Sequence, residues 1–163
     1  MKFKKKLIFY FLGYITTLPI THLAYGEITP VSITGVILAP PPCVINGNKD
    51  ISVDFGNRVM TKLVNGVNYL QEINYSVTCN NAPSNSMRMQ IEGDSAGFTT
   101  KALKTTNVNL GVEILINGNN QSGWFNFTYP SMPKLEAVPI KRSGSTLTTG
   151  PFMGIATLIV EYR

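Results

Sequence analysis

The sequence predicts an all-β sandwich. Apolar and polar residues alternate along several short segments, which is the period of a strand that buries one face. Clusters of Asn, Gly and Pro separate these segments and are typical of turns. No window carries the apolar spacing of an amphipathic helix, so helices are not expected to build the core.

Residues 1–26 are predicted to be a secretory signal peptide. A lysine-rich start precedes an apolar run over residues 7–18, and Ala24-Tyr25-Gly26 offers small residues at the cleavage positions. The run is too short to anchor the chain in a membrane, because a spanning helix needs about 20 apolar residues. The predicted mature chain, residues 27–163, is therefore expected to be exported.

The basic charge of the chain belongs to this leader. The sequence has 14 Lys and Arg against nine Asp and Glu, but four of the lysines lie within the first six residues. Ten cations against nine carboxylates remain, a net charge of +1 for the mature chain. Nucleic-acid binding therefore loses its main support, and no small-molecule substrate is expected.

The mature chain lacks the side chains that many enzymes use. Its single histidine, His22, lies in the leader, which excludes Ser-His-Asp or Cys-His catalysis and histidine-ligated metals. Asp50, Asp54, Glu92 and Asp94 lie at predicted strand ends or turns, so they are expected to be solvated rather than paired for hydrolysis. We therefore predict a protein that is not an enzyme and that has no catalytic residue, metal or cofactor.

The N-terminal segment of the mature chain alternates like a strand but is set apart from the body. One face of residues 27–38 carries Thr29, Val31, Ile33, Gly35 and Ile37. Ala39-Pro40-Pro41-Pro42 follows and interrupts the pattern, because proline cannot donate to a ladder.

Cys43 and Cys79 are predicted to form a structural disulfide. In an oxidising compartment an even pair most simply forms a bridge. A reactive or metal-binding pair is the alternative, but no CxxC spacing or mature histidine accompanies the two cysteines. The bridge would contribute roughly 3–4 kcal/mol in the chain-entropy account.

The strands of the body are predicted from alternation. Four segments show it clearly, namely residues 51–55, 73–79, 87–91 and 108–116. Residues 150–163 form a further strand, one face of which carries Phe152, Gly154, Ala156, Leu158, Val160 and Tyr162. A chain that ends on a long apolar strand has an edge to protect.

With these features the chain resembles pilins of the chaperone–usher fimbrial family of Gram-negative bacteria. The resemblance lies in the alternating extension with its central Gly35, the prolines before Cys43, Val53-Asp54-Phe55-Gly56 after it, and the C-terminal strand with its penultimate Tyr162. The prolines directly before Cys43 and the Val-Asp-Phe-Gly sequence are most similar to the corresponding segments of minor tip subunits of P-type pili, including their adaptor.

The resemblance implies an incomplete immunoglobulin-like sandwich that lacks its final strand. Residues 43–163 would be the pilin domain and residues 27–42 a donor-strand extension, with Thr29, Val31, Ile33, Gly35 and Ile37 facing a neighbour. The apolar face of the C-terminal strand would line an acceptor groove. A periplasmic chaperone would fill this groove first and hold the carboxylate of Arg163. At an outer-membrane usher, the extension of a neighbouring pilin or adhesin would replace the chaperone strand, and the subunit would join a cell-surface fimbrium.

Two other interpretations remain. In a carbohydrate-binding fimbrial adhesin or lectin module, Trp124, Phe125, Phe127 and Tyr129 would stack on a sugar, although the spacing of the last three also fits a core-facing strand. In an unrelated secreted protein with a complete sandwich, residues 27–38 would be an ordinary first strand. The sequence does not distinguish adaptor, tip-fibrillum, rod and terminator subunits.

Overall fold

The computed structural model describes residues 30–37 and 43–163. The predicted signal peptide, Thr29 and the proline run at residues 40–42 lie outside the described residues. The chain divides into two units, residues 1–37 and residues 38–163.

In the first unit, residues 30–37 have no regular secondary structure. The side chains of Val31, Ile33 and Ile37, which the sequence placed on one apolar face, are exposed, as is Val36 on the other face.

The described part of the second unit is made of ten β-strands and two 3-10 turns. The strands are β1 (Val44–Ile45), β2 (Gln71–Glu72), β3 (Val77–Thr78), β4 (Ser86–Glu92), β5 (Ala102–Lys104), β6 (Leu110–Ile116), β7 (Asn119–Asn120), β8 (Phe125–Thr128), β9 (Leu135–Lys141) and β10 (Thr157–Tyr162). The turns lie at Asn46–Asn48 and Thr61–Leu63. No helix among the described residues is long and apolar enough to cross a membrane.

The strands form open antiparallel sheets. The larger sheet has the order β2-β9-β6-β5, and β7 pairs with β6. The second sheet has the order β10-β4-β8, and β1 forms a short ladder with β3.

The two larger sheets pack face to face through apolar side chains. Met89 of β4 meets Ile116 of β6 and Leu135 of β9 in one buried cluster. A second cluster, toward the other end of β6, contains Val64, Leu110 and Leu147. Because these side chains come from the inward faces of both sheets, the predicted all-β sandwich is confirmed.

The C-terminal strand is shorter than the sequence predicts. Its regular part, β10, begins at Thr157, whereas Gly154 forms only an isolated bridge with Thr105. The chain thus passes from the edge of the larger sheet to the second sheet between residues 154 and 157, which interrupts a single continuous ladder. Val108, predicted as a strand residue, lies in an exposed turn before β6 begins at Leu110.

Candidate functional site

Two chain segments flank the region that the sequence singled out as a groove. The first flank, residues 43–56, begins at Cys43, which is joined to Cys79 by the predicted disulfide. Directly after Cys43, β1 pairs with β3 in the register Val44↔Thr78. The bridge and this short ladder anchor the start of the first flank to the body.

Further along, the first flank has the side-chain pattern of a strand but no partner strand. Ile51, Val53 and Phe55 are half-buried, whereas Ser52 and Asp54 are exposed. No strand within residues 30–37 and 43–163 pairs with residues 51–55. The predicted alternation is therefore present, but the main-chain groups that a ladder would use are left to water or to another chain.

The second flank, residues 150–162, ends in β10, which has one paired edge and one open edge. The paired edge meets β4, and Arg163 N donates to Ser86 O over 2.9 Å just beyond the strand. Because hydrogen-bonded pairs alternate along an antiparallel ladder, the main-chain groups of Leu158, Val160 and Tyr162 point to the opposite edge. Among the described strands, none occupies that edge.

The apolar side chains of the second flank contact both core clusters. Leu158 and Val160 pack against the cluster that contains Met89, and Phe152 packs against the cluster that contains Leu110. Gly154 and Ala156, from the same predicted face, are exposed. The floor between the flanks is therefore the apolar interior of the sandwich.

The two flanks meet at both ends. At one end, the Tyr162 hydroxyl lies 3.4 Å from Cys43 Sγ. At the other, the rings of Phe55 and Phe152 have centroids 5.8 Å apart. Because Cys43 precedes Phe55 whereas Phe152 precedes Tyr162, the flanks run in opposite directions. The region between them is where the sequence predicts the acceptor groove, and no described strand pairs there.

A cavity of about 510 Å³ lies at the Phe152 end of the groove and is called the end pocket here. The apolar side chains that line it are Val53, Phe55, Val59, Val64, Leu110, Leu147, Pro151 and Phe152. Uncharged polar side chains also line it, namely Asn57, Thr61, Asn107, Thr148 and Thr149. Asp54 is the one charged residue in the lining, and its Oδ1 accepts a hydrogen bond from Gly56 N over 2.7 Å. The apolar part of this mixed lining suits an uncharged apolar side chain.

No groove residue was predicted in the first flank. Val53 and Phe55 nevertheless line the end pocket. Their alternation directly after Cys43 was the available signal, but alternation alone does not show which edge of a strand lacks a neighbour.

The aromatic residues proposed for sugar stacking are divided between the core and the surface. Phe125 and Phe127 pack against the Met89 cluster, as core-facing strand residues do. Trp124 instead lies under Arg88, whose Cζ is 4.2 Å from the ring centroid. Arg88 also forms an ion pair of 2.7 Å with Glu161 on β10. The four aromatic rings therefore do not form one exposed stacking surface.

Comparison of the sequence with protein families finds one that spans this whole region. The family model described as "Fimbrial protein" matches residues 31–163. The uncharacterized fimbrial-like protein YfcR of Escherichia coli K12 is 35% identical over 132 residues, which cover 77% of this chain and 75% of YfcR. YfcQ, another uncharacterized fimbrial-like protein of that strain, is 33% identical over 152 residues, covering 88% of this chain and 91% of YfcQ.

Solved structures agree on the fold. The P pilus rod subunit PapA superposes with a TM-score of 0.63 at 20% identity, covering 76% of this chain and all of PapA (100%). The P pilus adaptor subunit PapF superposes with a TM-score of 0.57 at 22% identity, covering 77% of this chain and 98% of PapF. The sandwich is thus the incomplete immunoglobulin-like fold of pilins, and the chain belongs to the fimbrial protein family.

Proposed function

We propose that this fimbrial subunit is polymerised by donor-strand exchange. A strand from a neighbouring subunit fills its groove, and its own residues 27–38 fill the groove of another. The observation that carries the proposal is the pair of flanks, which meet at Cys43–Tyr162 and at Phe55–Phe152 yet share no ladder. Such an edge is a template for β-strand addition.

The geometry favours one direction for the inserted strand. Because the flanks run in opposite directions, an inserted strand is antiparallel to one and parallel to the other. The evenly spaced main-chain groups that are free to pair lie on the open edge of β10. Because antiparallel pairing is slightly more stable per residue than parallel pairing, the donor runs antiparallel to β10. Its amino-terminal end then lies near Tyr162, and its carboxyl-terminal end lies at the end pocket.

The donor face of this chain has a suitable length for such a groove. Thr29 to Ile37 is eight residue steps, about 27 Å in a strand, and Phe152 to Tyr162 is ten steps, about 33 Å. A neighbour with the same pattern would bring its Ile37 to the end pocket. Burying Val31, Ile33 and Ile37 would contribute roughly 5–9 kcal/mol before ordering costs. This free energy can drive exchange without ATP or a cofactor.

Membership of the fimbrial family supports the finer parts of the proposal. Before exchange, a periplasmic chaperone strand occupies the groove and holds the Arg163 carboxylate, and exchange takes place at an outer-membrane usher. The product is a cell-surface fimbrium of a Gram-negative bacterium, in which this chain is a minor subunit near the tip that joins pilins or an adhesin. A Proteus mirabilis (strain HI4320) protein, PmfE, described as a candidate minor fimbrial subunit, supports this role with 30% identity over 155 residues, although this chain spans only 42% of its length.

Paired variants test the proposal in cells that also produce the chaperone and usher of the same fimbria. Ile33→Asp should leave the chaperone complex intact and abolish incorporation into fibres, whereas Val36→Asp, on the other face of the extension, should have little effect. Tyr162→Asp should abolish co-purification with the chaperone, whereas Glu161→Gln, on the outward face of β10, should not. Affinity capture of the chaperone and immunoblotting of sheared fibres measure the two steps.

The opposite pattern contradicts the proposal. If Ile33→Asp prevents recovery of the chaperone complex, residues 27–38 belong to the folded body. Unchanged recovery after Tyr162→Asp would show that the chaperone docks elsewhere.

A further inference from the structure

The segment from residue 60 to residue 70, called the apolar loop here, presents hydrophobic side chains to solvent beside the end pocket. Met60 is 62% exposed, Leu63 47%, Val67 74% and Leu70 44%. Single exposed apolar residues are ordinary, but four within eleven consecutive residues make this loop a candidate interaction surface.

The loop is held in place by specific bonds. Met60 N donates to the Tyr69 hydroxyl over 3.0 Å and closes the loop. Asn65 Oδ1 accepts from the main-chain N–H of Val67 and of Asn68. Val64 anchors the middle of the loop, because its side chain is only 1% exposed within the core.

Tyr69 shows that this geometry is imposed by its surroundings. Its φ is 66°, in the left-handed region that aromatic residues rarely adopt. Such a conformation persists only when nearby contacts enforce it, and it is concentrated at functional sites. The bonds that retain the strained residue also keep Met60 and Val67 on the surface.

The charged residues in and near the apolar loop indicate which kind of partner it can bind. Arg58 precedes the apolar loop and Lys62 lies within it, and residues 57–70 contain no Asp or Glu. The surface therefore offers apolar contact together with hydrogen-bond donors and cations. A matching partner is apolar and rich in acceptors, which describes a proline run, because each proline keeps its carbonyl and lacks an N–H.

We propose that the apolar loop seats the proline-containing connection of the donating subunit, the segment that corresponds to Leu38-Ala39-Pro40-Pro41-Pro42 in this chain. The inference rests on the proposed function, since the antiparallel donor places its Ile37 in the end pocket. Val59, Thr61 and Val64 line that pocket and lead directly into the loop. Five residues in a polyproline conformation would span about 15 Å.

The contact would fix the angle between successive subunits at the point where the donor strand leaves the groove. Without it, the joint would depend on the donor strand alone. The loop thus extends the interface from strand exchange to the body of the next subunit.

Peptide dissociation rates test the inference. The mature chain carrying Ile33→Asp, so that its own extension does not compete, is incubated with fluorescent peptides of residues 27–37 and 27–42. The longer peptide should dissociate about tenfold more slowly. The ratio of the two dissociation rates should fall to about one in chains that also carry Met60→Ser and Val67→Ser. It should also fall to about one when the longer peptide has Ser at its three final proline positions. Val108→Ser, a matched exposed apolar residue outside the loop, should keep the tenfold ratio.

The outcomes separate the inference from the proposed function. Equal dissociation of the two peptides from the chain with an intact loop, or a ratio that survives Met60→Ser and Val67→Ser, overturns the inference and leaves strand exchange standing. If neither peptide binds, strand exchange itself is wrong and the inference falls with it. The shorter peptide also reports folding, because it should bind all loop variants equally.

Discussion

Tyr75 shows how a single polar atom is accommodated where the two sheets meet. Its ring packs against the Met89 cluster, and its hydroxyl donates to the Pro133 carbonyl over 2.6 Å. Burial raises the pKa of Tyr75 to about 12, because the phenolate would lose hydration. The neutral phenol is therefore the form that the folded state favours.

Replacing Tyr75 with Phe should change the alkaline stability of the protein. Since the folded pKa lies above the unfolded value of about 10, this contribution is present below pH 10 and is lost as the pH rises toward 12. The free energy of unfolding should decline less steeply from pH 10 to pH 12 in Tyr75→Phe than in the wild-type chain, although the variant is weaker by roughly 1 kcal/mol at pH 7. Urea titrations across this range measure both effects. If the free energy of unfolding falls in parallel with pH in the two chains, Tyr75 does not have the raised pKa.

At the scale of elements, alternation identified the strands that bury one face. Met87 and Met89 on β4 are fully buried, as the pattern of residues 87–91 indicates. Strand β9 was not predicted from the sequence, because residues 135–139 are buried on both faces and so do not alternate. A proline within the segment also argues against a central strand.

The register explains how β9 accommodates Pro139. Arg142 N donates to Asn109 O, so the N–H groups of alternate residues, including Ile140 and Val138, face β6. The nitrogen of Pro139 therefore faces the β2 side, where pairing ends at Ala137. Pro139 therefore costs β9 no hydrogen bond to a neighbouring strand. Only the strand order shows this, so it could not be predicted from the sequence.

The passage of the second flank between sheets depends on Gly154. A Cβ on this residue would lie 2.9 Å from the Lys104 carbonyl oxygen, which is backbone and cannot move aside easily. We expect Gly154→Ala to lower the free energy of unfolding by roughly 1–3 kcal/mol. Gly97→Ala, where a Cβ would meet nothing within 4 Å, is the matched control. Equal urea midpoints for the two variants would show that the bridge to Thr105 is not close-packed.

At the scale of the whole molecule, the sequence located one side of the groove and the structure supplied the other. The apolar face of the C-terminal strand, including Leu158 and Val160, was recognisable from its alternation. Val53 and Phe55 were not recognisable as groove residues, because the absence of a partner strand is a property of the topology. The exposed apolar side chains of residues 31, 33 and 37 and the open edge of β10 are the two separate features on which the proposed strand exchange rests.

The open groove should make the isolated mature chain associate. Its net charge of only +1 provides little repulsion between copies. Since association by strand addition buries apolar side chains, we expect oligomers that grow with concentration and persist from about 0.1 M to about 1 M NaCl, where the Debye length falls from about 10 Å to about 3 Å. Sedimentation velocity at the two salt concentrations measures this. Ile33→Asp should reduce association and Val36→Asp should not. A chain that stays monomeric at all concentrations would instead have a filled sandwich. A chain whose oligomers dissociate in high salt would associate through charge.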